Sequence, residues 1–259
     1  VVDTFAQFGV TKGALPLTMA SLSDAPIIGI FSHTGFQDAA DGASHQALSY
    51  LAMTSSIPHV KVFALSTSQE AHHLIGQAIE EFKHNQEHGQ NVSYIFFLGR
   101  ENFPASYMEK PAYDLEQAQV LFDTANKYES GVTIVTHGSL VGEALKAAKQ
   151  LESKGTGAVV INSPCINHPD LKTIKHALEK TGHRLIVVED HQYIGGFGQI
   201  LAHALVHEKS VAKAGLHMET LAVDGHFGQS SYTALALYKK HGLDSESIVQ
   251  AAHSLTTVN

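Results

Sequence analysis

Residues Val132–Ile161 read VTIVTHGSLVGEALKAAKQLESKGTGAVVI. Val132–Thr136 is a short β-branched run, the pattern of a strand buried on both faces. His137-Gly138-Ser139 then opens a helix over Leu140–Lys154, and Ala158–Ile161 is the next apolar strand. Strand, helix and strand joined by short glycine-bearing connections make a parallel pair with a crossover. The pattern continues outward. Pro169–Lys180 reads as a helix, Arg184–Glu189 as a strand, Gln199–Val206 as a helix and Leu216–Val223 as a last strand. Tyr232–His241 and Ser245–Ser254 read as closing helices. The first half has the same grammar. Pro26–Phe31 and Val60–Leu65 are buried strands, with a helix-like segment over Ala47–Thr54 between them. Ala71–Phe82 is a helix whose Ala71, Leu74, Ile75, Ala78, Ile79 and Phe82 make one apolar face behind a Ser66–Glu70 cap. Asn91–Leu98 is a further strand. The expected fold is α/β: two doubly wound domains with mostly parallel or mixed sheets and helices on both faces. Residues 1–104 and 129–259 are the two domains. Residues 105–128, with Pro111 and several tyrosines nearby, are the linker between them.

The totals narrow the function. The 259 residues are 44% hydrophobic and 16% charged, an ordinary globular composition. No apolar run is long enough for a bilayer, and the N-terminus lacks a basic-then-apolar signal. One cysteine, Cys165, excludes an internal disulfide and fits a reducing compartment, so a cytoplasmic location is expected. It sits at a strand end with no partner base, and reads as structural. A formal charge of −8 argues against a nucleic-acid partner. The 18 histidines are the compositional excess, but no metal-ligand spacing recurs among them, and no metal site is expected. His84 and His88, like His72 and His73, read as solvent-facing. The opening Val1-Val2-Asp3-Thr4-Phe5 carries no Met, and the expectation is a piece of a longer protein.

The candidate site lies in Phe31–Gln46, FSHTGFQDAADGASHQ. His33, Asp38, Asp41 and His45 crowd among small residues at the end of a buried strand, where open α/β sheets place ligands. Arg100 follows the strand Asn91–Leu98. There it either pairs bidentately with a phosphate or carboxylate, or forms a salt bridge with Glu101 or a loop carboxylate. Phe5 and Phe8 lie three apart on one side of a helical turn and read from spacing as core. Gly195-Gly196-Phe197-Gly198 suits close helix–sheet packing better than a phosphate cradle, since the GxGxxG fingerprint is incomplete. No GxSxG elbow or GxxxxGK[ST] loop occurs.

Taken together, these motifs resemble the transketolase family. Ser32-His33-(x7)-Asp41-Gly42-Ala43-Ser44-His45-Gln46 resembles its S/T-H…D-G-P-T/S-H-Q loop. Thr4-Phe5-Ala6-Gln7-Phe8 resembles the aromatic pair upstream of that loop, and Gly99-Arg100-Glu101-Asn102 its S-R-x-N turn. Val188-Glu189-Asp190-His191-Gln192-Tyr193-(x)-Gly195-Gly196 resembles V-E-D-H-x-Y-x-G-G. Phe227-Gly228-Gln229-Ser230 followed by Leu237–Leu243 resembles the F-G-x-S…L-x-x-x-F-G close. The matches run in order through most of the chain. Deoxyxylulose-phosphate synthases and the β subunits of 2-oxoacid dehydrogenases share the architecture.

The resemblance implies the pyrimidine-binding domain followed by the C-terminal domain. The implied activity is transfer of a two-carbon ketol unit between sugar phosphates, a step of the pentose phosphate pathway, with thiamine diphosphate and Mg2+. It places Phe5 on the cofactor's aminopyrimidine ring, with Phe8 lining the same pocket. It gives His33 and Arg100 the substrate phosphate, Asp41 a substrate hydroxyl and His45 the neighbourhood of the reacting carbon, as the catalytic group. It also implies a homodimer. Ala40, Ala43 and Thr11 depart from the family pattern. No residue here matches the glutamate that activates the cofactor, or the GDG…N motif of the diphosphate- and Mg2+-binding N-terminal domain. The chain alone is therefore expected to be inactive. A transketolase-like remnant serving only as a dimerising or interaction module is the non-enzymatic alternative.

Overall fold

The strands sort into two sheets, and each sheet's order follows from which strands are buried on both faces. The structure, a computed structural model, describes residues 1–257. In the first half, β1 (Val2–Phe5) runs into helix α1 (Ala6–Leu22), followed by β2 (Ile28–Ser32), the short α2 (Tyr50–Thr54), β3 (Val60–Leu65), α3 (Ser68–Glu87) and β4 (Ser93–Leu98). These four strands pair in the order β1-β2-β4-β3, every pair parallel. Phe63, Phe96 and Phe97 from β3 and β4 are fully buried, and each such side chain contributes about 2 kcal/mol of burial free energy.

The second half holds β5 (Gln119–Asp123), β6 (Gly131–Thr136), α4 (Val141–Ser153), β7 (Gly157–Asn162), α5 (Leu171–Lys180), β8 (Arg184–Gln192), α6 (Phe197–Val206), α7 (Lys209–Ala214), β9 (His217–Val223), α8 (Ala234–His241) and α9 (Ser245–Thr257). Its sheet order is β5-β7-β6-β8-β9. Only the edge strand β5 is antiparallel. Every residue of β6 and β7 is buried, which is why their sequences carry continuous apolar runs rather than an alternation.

Three local readings of the sequence differ from this architecture. The stretch 105–128, expected as linker, contains β5, which pairs with β7 through a bulge between Val120 and Phe122. β1 was not read as a strand: all four of its residues are exposed at the sheet edge, so no buried pattern marks it. Phe5 and Phe8, read from spacing as core, are 36% and 37% exposed.

The two sheets share a core. One buried cluster joins Phe31, Tyr50 and Val62 of the first half to Ile161, Val187 and Phe197 of the second. The chain leaving β7 also crosses onto the first sheet. Ala64 donates its N–H to the Pro164 carbonyl at 2.9 Å, and Ile166 donates to Val62 at 2.8 Å. Cys165 thus lies in a crossing strand-like segment against Phe63, and burial pushes its thiol up to about 11. A thiol held protonated in this way is a packing group. Among the described residues no helix is long and apolar enough to cross a membrane.

Candidate functional site

Parallel neighbours end on the same side of a sheet, so the C-terminal ends of β1, β2 and β4 converge. β1 pairs Phe5 with Ser32, and β2 pairs Phe31 with Phe97. Phe5, His33 and Arg100 therefore leave three adjacent strands at one rim. His33 adopts a left-handed backbone, φ 62°. For a non-glycine residue this is uncommon, and such positions cluster at ligand sites. The turn carries its ring onto Phe5, with centroids 3.9 Å apart and planes 27° from parallel. His45 meets Phe8 edge-on at 5.1 Å and Phe5 at 6.4 Å. The structure so brings together Phe5, Phe8, His33 and His45, which are scattered over forty residues of sequence. The Ser32 hydroxyl and His33 Nδ1 lie 2.7 Å apart, and the Ser44 hydroxyl and His45 Nδ1 3.1 Å apart.

Charge surrounds this cluster. Arg100 Nη1 donates to Asp38 Oδ1 at 3.3 Å, pairing with a loop carboxylate while its side chain stays 49% exposed. Glu101 instead accepts the Ala234 N–H at the start of α8. His33 is held below its ordinary pKa chiefly by partial burial. Asp38 and Asp41 push upward, while Arg100 and His45 push downward. Asp41 itself is exposed.

The loop is tied to the second domain from behind. Gly35 sits at φ 61° against the Asp190 carboxylate, where a Cβ would collide with it. The next N–H, that of Phe36, donates to both Asp190 oxygens at 3.1 and 3.0 Å. Tyr238 donates to Asp190 at 2.9 Å and accepts from Gln37 Nε2 at 2.7 Å. Gln46 donates to the carbonyls of Asp38 and Gln229.

Two family descriptions match consecutive parts of this chain: "Transketolase, pyrimidine binding domain" over residues 1–97 and "Transketolase, C-terminal domain" over residues 124–248. The chain belongs to the transketolase family. It is 30% identical to transketolase of Rattus norvegicus over 255 residues, 98% of this chain and 38% of that protein. The chain thus spans well under half the length of the curated transketolases it matches. In fold it is similar to a split-gene transketolase described as an inactive β4 tetramer, with TM-score 0.77 and 24% identity. That match covers 98% of this chain and 75% of the other. Transketolase from Leishmania mexicana gives TM-score 0.74 at 21% identity, covering 98% and 33%.

Within this transketolase-family chain, the V-E-D-H segment does work that sequence reading left unassigned. Glu189 accepts the N–H groups of Phe197 and Gly198 at 2.6 and 3.0 Å, capping α6. Gly196 lies so close to that carboxylate that a Cβ would clash. The glycine loop therefore already cradles a carboxyl group, that of the chain's own Glu189, at the helix start. Asp190 beside it anchors the site loop. Gln37 and Tyr238 were also missed, and the sequence left open which carboxylate Arg100 meets. The signal available for Asp38 was only a carboxylate among small residues, which reads equally well as a solvated turn. No group of three His, Cys, Asp or Glu side chains among the described residues is placed to hold a metal ion.

Proposed function

We propose that this chain supplies the pyrimidine-facing and sugar-phosphate-facing half of a transketolase-type ketol-transfer site. The observation that carries the reading is the convergence of Phe5, Phe8, His33 and His45 in one cluster with Arg100 at its rim. The residues fit one end of thiamine diphosphate. Phe5 and Phe8 leave over a third of their surface open for a flat heteroaromatic ring. No group of three His, Cys, Asp or Glu side chains for the Mg2+ end is found among the described residues. We assign that end to the family's N-terminal domain, on the same polypeptide or another. The chemistry that thiamine diphosphate supplies when bound is an electron sink for breaking a carbon–carbon bond.

The chain's own residues then divide the remaining work. Arg100 and His33 hold the substrate phosphate, a charge-assisted clamp that does not require a basic protein. Asp41 accepts a bond from a substrate hydroxyl. His45, beside both phenylalanines, holds or moves a proton at a sugar oxygen near the reacting carbon. The working assembly is a cytoplasmic homodimer acting on sugar phosphates of the pentose phosphate pathway. The split-gene relative, described as an inactive β4 tetramer, supports the view that such a chain needs another domain.

A coupled ketol-transfer assay tests this. The purified 259-residue chain with thiamine diphosphate, Mg2+ and a ketose phosphate is expected to give no turnover. Adding the family's N-terminal domain as a separate polypeptide is expected to restore it. Turnover by the chain alone overturns the division of labour. No turnover even with the added domain, once complex formation is shown by light scattering, favours the non-catalytic module.

A further inference from the structure

Asp38 is fully buried in the site loop, with 0% of its surface exposed. A carboxylate so placed costs free energy unless its oxygens are paired. Oδ1 is paired with Arg100 Nη1 at 3.3 Å. Oδ2 is buried with no hydrogen-bond partner among the described residues. Arg100 is in the opposite state. Its side chain is 49% exposed, and this single long bond uses one of the guanidinium's N–H donors, leaving the rest of the fork for a ligand. The main chain beneath it is fixed as well. Gln37 Oε1 accepts the N–H of Arg100 at 3.3 Å and of Glu101 at 3.0 Å. Neighbouring residues 37 and 38 thus set both the backbone and the head of Arg100.

We propose that Asp38 is the resident counter-ion of Arg100 and a specificity-determining residue of the anion site. It keeps one edge of the guanidinium anchored and offsets part of its charge, so small inorganic anions bind weakly. A sugar phosphate adds contacts from its hydroxyls and overcomes the offset. The inference rests on reading Arg100 as the phosphate clamp. The electrostatic reasoning is direct. A buried negative charge beside the guanidinium repels an incoming phosphate, and weak solvent screening lets that repulsion act at short range. The same field reaches His33, where Asp38 and Asp41 act against Arg100 and His45.

The test is titration of inorganic phosphate into the 259-residue chain. Affinity is read by calorimetry, and the His33 ring is followed by NMR. Asp38→Asn keeps the shape and an acceptor oxygen for Nη1 but removes the charge. It is expected to tighten phosphate binding about tenfold, the scale of one partly screened unit charge. Arg100→Gln is expected to abolish binding in either background. The His33 titration midpoint is expected to fall in Asp38→Asn and rise in Arg100→Gln, which confirms that each substitution removed its charge from the site, while the change in phosphate affinity separates a counter-ion from a merely structural pair. If Asp38→Asn melts well below the parent, Asp38→Ser provides the same comparison. Phosphate binding that is no tighter without the Asp38 charge, yet lost in Arg100→Gln, overturns the counter-ion and leaves the clamp standing. Phosphate binding that survives Arg100→Gln, or is absent from parent and Asp38→Asn alike, removes the clamp and the counter-ion with it.

Discussion

His33 and His45 carry the same side chain, yet the loop gives them different surroundings. His33 is turned by a left-handed backbone onto the face of Phe5, within the fields of Asp38 and Arg100. His45 sits edge-on to Phe8. On the proposed division of labour, the two ends of the site fail differently when cut. In the reconstituted assembly, Arg100→Ala removes a contact to the non-reacting phosphate. Such contacts serve ground state and transition state alike, so KM rises roughly 10- to 100-fold with kcat little changed. His45→Asn removes a group near the reacting carbon, so kcat falls roughly 100-fold or more. Steady-state kinetics with a sugar-phosphate donor separate the two. A KM effect for His45→Asn with unchanged kcat would reverse the assignment. The loop holding His33, Asp38, Asp41 and His45, with Arg100 beside it, stands out in the sequence because open α/β sheets place ligands at strand ends, while the roles given to these residues come from the family resemblance. Asp38 was visible as a loop carboxylate, but its partner was not, because Arg100 lies sixty-two residues away along the chain.

At the level of elements, helices with a clear apolar stripe and strands with an apolar run were readable, the half-buried edge strand β9 included, and short elements lacking either were not. α3 begins where its Ser-Thr cap predicts. Thr67 accepts the Glu70 N–H at 3.2 Å, and Glu70 in turn bonds Ser66 and Asn162 Nδ2. β1, β5 and α7 escaped notice because they are short edge or surface pieces defined by their neighbours rather than by a periodic face. The contact between α8 and the site loop was equally invisible, since it joins distant residues: His241 stacks on Phe36 at 4.7 Å, and the Tyr238 hydroxyl adds the polar link. Tyr238 links Asp190 of β8 to Gln37 of the loop. Tyr238→Phe keeps the ring but leaves both buried partners short of a bond. The expected cost is about 1–3 kcal/mol, read as a lower denaturation midpoint. Faster amide exchange over residues 33–46 than over α9 is expected to accompany it. An unchanged midpoint and exchange pattern would show that Phe36 and Ser139 suffice to hold Asp190.

For the molecule as a whole, four of the buried titratable groups near the seam between the domains make opposed demands. Burial raises Glu189 and Asp190 to about 7 from ordinary values of 4.5 and 3.8. Burial lowers His137 to about 3 and His191 to about 4 from 6.5. The two carboxyls bind protons more tightly folded than unfolded. Their contribution is full below the unfolded values and is lost as pH rises through about 7. The two histidines resist protonation when folded. Their contribution is full above 6.5 and is lost as pH falls toward 4 and then 3. Between about pH 4.5 and 6.5 each group changes stability by about 1.4 kcal/mol per pH unit, two in each direction. These four slopes cancel in the parent. Single substitutions unbalance them with opposite sign. Asp190→Asn removes one slope that falls with pH, so its stability relative to the parent rises toward pH 6.5. His137→Phe removes one slope that rises with pH, so its relative stability falls over the same range. His137 is suited to the change, since neither ring nitrogen has a hydrogen-bond partner among the described residues and the ring packs edge-on to Phe197. Urea denaturation at several pH values measures both. The difference between variant and parent cancels titrating groups distant from the changed residue, so difference curves that tilt the same way, or not at all, would show that the seam does not hold these groups in the stated protonation states.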